Sequence, residues 1–512
     1  MANRYDVIVI GAGLGGLSAA TRLASRGLGV LLLERHNVPG GYATSFVRGR
    51  YEFEVALHEL SGMGKDGEPT GNLAYLHELG VAEGLEFLHV TDLYRSVFPG
   101  VDLRLPVGRE AYEGTLCDAF PADADGIRRF LDRVFALARE AEELEKTFAA
   151  GRFGWRDVAA APLRFPNAAR YLPVTWGQVL DRDVKGEAAR AVLSQYWGYF
   201  GLPPSRMAFL YFAIALATYI RYGATYVRGR SQALSNAFLA AFERWGGEAR
   251  FNAPVTRILT ADGRVTGVET EDGRRYTAPC VVSNASPLTT AVDLLAPGGA
   301  PSGWLERLGR ETVGPSTVNV YLGVNRDLVA DGFRDHETFV NGDFDLEAHH
   351  AATSTLDAPP ASAITCYNAV WPDISPRGTS IVVLTALARG EPWMTLPPDL
   401  YHATKSRLAD AMLDQAERIL PGLREATEVL EVSTPLTNMR FAANPGGSIY
   451  GFDQPPWSST ALRHPATTPI GGLWLAGAWV QPGGGFEPCI VSGRMAAEGV
   501  LAAISKEGGH AR

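Results

Sequence analysis

Gly11, Gly13 and Gly16, in the spacing G-x-G-x-x-G, and Glu34, twenty-three residues after the first glycine, have the plainest chemical reading in the chain. Glycine has no Cβ, so this spacing permits a sharp turn, a close approach of another group to the backbone, and tight packing of two elements. A helix starting at these glycines offers unpaired N–H groups and the positive end of its dipole to an anion. A carboxylate about this far along accepts hydrogen bonds from both hydroxyls of a ribose. The chemistry is dinucleotide binding, with diphosphate on the glycines and ribose on the acid.

That chemistry depends on the elements around it. Residues 7–10 (VIVI) form a continuous apolar run suited to a strand buried on both faces, and residues 30–33 (VLLL) form a second. Between them an Ala/Leu-rich helix is predicted through Ala24. Gly11 then makes the strand-to-helix turn, Gly13 admits the diphosphate, and Gly16 lets helix and strand pack closely. Gly40 and Gly41 form a second glycine pair soon after the acid, which suits the longer, folded FAD better than NAD. Further on, alternation from Val255 to Leu259, a hairpin turn at Asp262-Gly263 and the pair Val281-Val282 read as short strands. Near the C-terminus, apolar residues 473–475 precede Gly477-Ala478, three glycines at 483–485, and a small-residue helix beginning near Glu487.

Composition narrows the function classes. A chain of 512 residues favours two domains over one core. A net charge of −9 and a pI near 5.7 argue against nucleic acid as a partner, because no global positive field exists to meet phosphates. Cys117, Cys280, Cys366 and Cys489 are scattered without a C-x-x-C pair, so neither zinc nor a disulfide framework is indicated, and no metal site is expected. His349-His350 reads as a solvated loop pair. The first apolar run belongs to a strand rather than a secretory signal, and a cytoplasmic, reducing setting is the default expectation. Residues 207–220 (MAFLYFAIALATYI), flanked by Arg206 and Arg221, are too short to span a membrane and read as a buried helix or one wall of an apolar cavity.

At this point the chain resembles a known family. The N-terminal fingerprint, GGYATSFVRGRYEFEVALHELSG (40–62), the Val255 segment and the closing PGGGFEP are similar to the FAD-dependent phytoene desaturase, carotenoid isomerase and retinol saturase family, within the wider amine-oxidase-like flavoproteins. Residues 194–234 resemble that family's substrate-domain helices, and residues 434–453 look most like its saturase and isomerase branch.

The resemblance implies an α/β fold: a Rossmann-type FAD-binding domain with a discontinuous α+β substrate domain built on an antiparallel sheet and helices. The FAD domain would comprise 1–85, 226–295 and 440–512, and the substrate domain 86–225 (helical) and 296–439 (sheet). FAD would be held by Gly11, Ala12, Gly13, Leu14, Gly15, Gly16, Glu34 and Arg35, and by Gly40, Gly41, Tyr42, Ala43, His58, Glu59 and Leu60. Val255, Asn284, Gly477, Ala478, Gly485, Phe486 and Glu487 would complete the site, with the last helix aiming its N-terminus at the isoalloxazine ring. The chain departs from the family at Glu54-Val55-Ala56, where Asp-x-Gly is common, and at Gly229-Arg230, where Gly-Gly is common.

The implied activity is desaturation, saturation or isomerisation of carbon–carbon bonds in a lipophilic polyene: a carotenoid, a retinoid or an unsaturated lipid. The flavin handles the hydride, and the protein positions the substrate and excludes water. His58 and Glu487 are the candidate proton-moving groups, Trp479 and Tyr450 the candidate substrate lining, and Arg440 a candidate for holding a polar end. An amine oxidase on the same scaffold and a non-catalytic lipid-binding protein are the alternatives. Four arginines and four aromatics within residues 152–172 mark a candidate peripheral membrane contact, and no electron partner is indicated.

Overall fold

Short apolar runs from three distant parts of the chain meet in one parallel sheet. The structure, a computed structural model, describes residues 4–64, 70–149 and 163–509. Val7–Ile10 is the central strand, with Val30–Leu33 and Glu248–Arg250 to one side and Cys280–Ser283 and Leu473–Leu475 to the other. All four pairings are parallel, and every residue of Val7–Ile10, Val30–Leu33 and Cys280–Ser283 is buried. Burial on both faces is why these runs show no polar alternation. Val7 and Val9 face the helices Leu14–Ser25, Arg230–Arg244 and Phe486–Gly509, while Ile8 and Ile10 face the antiparallel strands Val255–Ala261, Arg264–Thr270 and Arg275–Thr277. Asp262 and Gly263 join the first two of those strands with φ of 49° and 74°, both left-handed, as a tight hairpin turn requires.

Residues between these segments build a seven-stranded sheet, in the order Thr427–Ser433, Ser316–Val324, Ser380–Ala388, Ala361–Cys366, Glu337–Asn341, Asp92–Phe98 and Val101–Pro106. Only the pairing of Glu337–Asn341 with Asp92–Phe98 is parallel. One face packs Val320, Leu322, Ile364 and Leu384 against Leu408 and Met412 of the helix Tyr401–Glu417. A helical layer forms around Trp176, whose ring lies 4.8 Å from Phe130 and 4.1 Å from Phe212. Phe130, Val134 and Leu137, one face of the helix Ala124–Ala149, are all buried.

The expectation for His349-His350 is overturned. Both lie in the helix Leu346–Ala352 and are buried. His349 Nε2 meets Asp343 Oδ1 at 2.9 Å, and His350 Nε2 accepts from Arg389 at 3.4 Å. Of the candidate membrane segment, residues 152–162 lie outside the described residues. In the remainder, Phe165 and Tyr171 are buried, Arg164 and Arg170 cover their rings, and Leu163 is exposed. Among the described residues no helix is long and apolar enough to cross a membrane.

Candidate flavin and substrate site

The N-terminal loop is shaped by contacts that leave no room for side chains. Gly11 has φ +92°, and a Cβ on Gly16 would sit 1.9 Å from the Gly11 carbonyl oxygen. A Cβ on Gly13 would lie 2.7 Å from Asn284 Nδ2. The helix Leu14–Ser25 begins here with no side-chain cap on its first amides, which leaves them for an anion. Glu34 is buried and held by backbone: Ala12 N donates to Oε2 at 2.6 Å and His36 N to Oε1 at 2.7 Å. The remaining carboxylate lone pairs are available to ribose hydroxyls.

The C-terminal strand delivers the other end of the chain to this loop. A Cβ on Gly15 would fall 2.6 Å from Asn284 Oδ1 and 2.7 Å from the amide nitrogen of Gly477, itself at φ +97°. Ser492, on the last helix, accepts the Gly477 N–H at 3.1 Å. Gly493 packs against the first helix so closely that a Cβ would lie 2.2 Å from the Gly15 oxygen. The small residues of both helices are therefore what let the termini converge.

Both ends open onto one cavity of about 2350 Å³. Its lining includes Gly11, Gly13, Leu14, Gly15, Glu34, Arg35, Gly40, Gly41, Tyr42, Ala43, His58, Glu59, Leu60, Val255, Asn284, Gly477, Ala478, Gly485, Phe486, Glu487, Trp479 and Tyr450. Ala12 and Gly16 stand behind the loop rather than on the wall, Ala12 holding Glu34 and Gly16 fitting against Gly11. Arg440 is a correction. It is exposed at the end of the helix Pro435–Ala442, with its guanidinium 5.6 Å from the Phe441 ring, and does not line the cavity. The helix position that carries it turns outward.

A single small-molecule site occupies ~300–1,000 Å³, so this cavity has room for a dinucleotide and a second ligand together. With the glycine cradle and Glu34, the donor set fits FAD. Glu487, in the first turn of Phe486–Gly509, accepts from Asn72 and packs against Gly62. The two departures at residues 54–56 and 229–230 are tied together. Glu54 is buried and accepts from Ser231 N at 2.8 Å and Tyr226 Oη at 3.0 Å, while Arg230, at φ 67°, reaches Glu52 at 3.0 Å and the Ile374 oxygen at 2.7 Å.

The chain beside the cavity carries more polar machinery than the sequence suggested. His58 Nδ1 donates to Thr365 Oγ1 at 2.9 Å, and that hydroxyl donates to Glu337 Oε2 at 2.6 Å. His58 Nε2 then accepts from Thr385 Oγ1 at 3.4 Å. Neighbouring His336 gives Nε2–H to the His58 carbonyl at 2.8 Å, and burial lowers its pKa. Glu59 is buried with Tyr196 Oη on its Oε2 at 3.1 Å; burial, then the charge of Glu337, holds its carboxyl well above the usual range. Sequence reasoning missed Glu337, Thr365 and Thr385, which neighbouring strands of the seven-stranded sheet bring to His58, and Tyr196, which the short helix Gln195–Tyr199 brings to Glu59.

It also missed Arg463. This fully buried guanidinium donates to the carbonyls of Ala478 at 2.6 Å, Phe452 at 3.1 Å, Val480 at 3.2 Å and Tyr450 at 3.3 Å. Burial lowers its pKa to about 10. It fastens the loop carrying Tyr450 to the one carrying Ala478 and Trp479, and its bland local sequence gives no signal of this.

A family model described as flavin containing amine oxidoreductase matches residues 14–501. The chain belongs to that family. Prolycopene isomerase 1 of an Oncidium hybrid cultivar is 27% identical, the alignment covering 99% of this chain and 85% of the relative. All-trans-retinol 13,14-reductase of Macaca fascicularis is 26% identical over 93% and 82% of the two chains, and the neurosporene-forming phytoene desaturase of Rhodobacter capsulatus 26% over 96% and 93%. Putrescine oxidase with putrescine bound shares the fold, with a TM-score of 0.63, 17% identity, and coverage of 98% and 99%. The protein is an FAD-dependent oxidoreductase of α/β fold.

Proposed function

We propose that the substrate is a lipophilic polyene, such as a carotenoid, a retinoid or an unsaturated lipid, and that the enzyme desaturates, saturates or isomerises its carbon–carbon bonds. One observation carries this reading. Tyr211, Ile214, Ala215, Thr218, Tyr219 and Tyr222, spaced by three and four along the helix Phe209–Tyr222, all line the cavity. They form one helix face of aromatic rings and aliphatic groups, with the Tyr211 and Thr218 hydroxyls bonded to the Gly484 and Ile214 carbonyls, roughly 16 Å long at ~1.5 Å per residue. A straight wall of rings and aliphatic groups of that length suits an extended chain better than a compact amine.

FAD bound on the glycine cradle supplies reversible hydride and electron transfer. The chain's own residues align the polyene along the helix stripe, exclude water with Phe339 and Trp197, and offer His58 and Glu59 for proton movement. Peripheral membrane contact through residues 152–172, of which Leu163 is exposed, belongs to the same proposal, and vesicle flotation with and without that segment tests it.

The central test is anaerobic. The flavin-loaded protein, oxidised or photoreduced, is mixed with polyenes, retinoids, unsaturated fatty acids and amines while the flavin spectrum is followed. Bleaching or reoxidation by polyenes alone supports the reading; turnover with amines alone would replace it.

A further inference from the structure

On the seven-stranded sheet, part of the cavity lining is polar. In the register of the seven-stranded sheet Asn319 stands beside Thr385, Thr385 beside Ala363, and Ala363 beside Phe339, so these residues share one face. Thr317 and Asn341, two residues further along their strands, share it too, and all six line the cavity. The reverse face of the same strands is apolar. A wall shaped only for hydrocarbon would be apolar on both sides.

Three side-chain atoms here are buried and have no hydrogen-bond partner: Glu59 Oε1, Asn319 Oδ1 and Tyr199 Oη. Glu59 and Asn319 are only 8% and 6% exposed. The three belong to one neighbourhood. Tyr196 bonds Glu59 and stacks on Tyr199 at 5.1 Å; the Tyr199 ring lies 6.4 Å from His58; and His58 meets Thr385, the register partner of Asn319. Leaving a buried polar atom unpaired carries its full desolvation penalty, so hydrocarbon pressed against this wall would leave that penalty in place at all three atoms.

We infer that this wall recognises a neutral oxygen function, a hydroxyl or a carbonyl, on an otherwise apolar polyene, an inference that rests on the polyene reading above. Burial, then the charge of Glu337, favours the protonated form of Glu59, whose O–H can donate. Asn319 Oδ1 accepts, and the Tyr199 hydroxyl can do either. The hydrogen bonds formed by Glu59, His58, Asn319 and Thr385 involve no Lys or Arg, so these four groups bring no Lys or Arg to an ionised carboxylate.

The test uses flavin-loaded protein and three matched probes: retinol, retinoic acid, and the hydrocarbon in which a methyl group replaces the CH2OH of retinol. Binding is read anaerobically from tryptophan quenching and the flavin spectrum. Retinol is expected to bind at least ~10-fold more tightly than the hydrocarbon, with ionised retinoic acid no better than the hydrocarbon. Tyr199→Phe removes a hydroxyl with no protein partner, so folding is untouched. It should cut the retinol preference several-fold and leave hydrocarbon affinity unchanged. Glu59→Gln, which keeps a donor, should retain more of the preference than Glu59→Leu. Equal affinities, preference for the acid, or loss of flavin from Tyr199→Phe would each overturn the inference while leaving the polyene reading intact. Binding of neither retinol nor the hydrocarbon would remove that reading and the inference with it.

Discussion

Gly15→Ala measures how tightly the two chain ends are pressed together around the cofactor. The added methyl would sit 2.6 Å from Asn284 Oδ1, 2.7 Å from Gly477 N and 2.8 Å from Gly477 Cα. Asn284 can rotate away, but the Gly477 atoms are backbone, so the loop Gly477-Ala478 must move. Overpacking of this kind costs ~1–3 kcal/mol. Gly15 lies in the helix Leu14–Ser25 at an ordinary φ, so alanine recovers roughly 0.5–1 kcal/mol of helix stability. The net ~1–2 kcal/mol falls on the backbone that lines the flavin cavity, and the Kd for FAD should rise roughly 5–30-fold. Gly114→Ala, on the helix Arg109–Ala119 with nothing within 4 Å of the new methyl, is the control and should raise Tm slightly. The assay is reconstitution of the apoprotein, following FAD fluorescence quenching, beside thermal unfolding of both variants. Unchanged FAD affinity in Gly15→Ala would refute the claim that the two ends share one tightly fitted cofactor site.

Gly13→Val puts a branched side chain where Asn284 Nδ2 lies 2.7 Å from the first carbon; the purified protein should lose its yellow colour, with at least ~10-fold weaker FAD binding by titration. Arg463→Met orphans four carbonyls at ~1–3 kcal/mol each; a loss of about 3 kcal/mol or more in denaturant unfolding is expected, and a loss below 1 would contradict the fastening role. Burial, with Arg389 and Arg206 nearby, lowers the pKa of His350 from 6.5 to about 4. The unfolded chain binds that proton below about 6.5 while the folded one resists until about 4, so stability is full above 6.5 and falls across that window. His350→Gln should flatten the Tm–pH curve there; parallel curves would remove His350 as a cause.

The glycine triad, the acid and the buried strands were legible because each obeys a local rule. Gly16 has to be glycine wherever a helix follows a strand this closely, and VIVI and VLLL have to be interior strands because nothing in them tolerates water. The hairpin at Asp262-Gly263 is local in the same sense. Arg440 and His349-His350 misled for the opposite reason. Whether a cation faces a cavity or a histidine pair faces solvent depends on how a short helix is rotated, and neither helix has enough turns to fix its rotation by pattern.

By itself the sequence determined the cofactor class, since dinucleotide recognition is built from backbone geometry within one contiguous strand–turn–helix–strand unit. It also determined that residues 207–220 would be a buried helix or one wall of a cavity, because the run is rich in apolar and aromatic residues; Phe209–Tyr222 is mostly buried, with one face on the cavity. Tertiary structure alone decided the chemistry around the substrate. Thr365 and Thr385 reach His58 through strand register across more than 300 residues, and Arg463 meets its four carbonyls only when two loops fold over it. Short-range pattern records what a residue needs from its neighbours in the chain; sheet pairing and loop closure decide which neighbours it has in space.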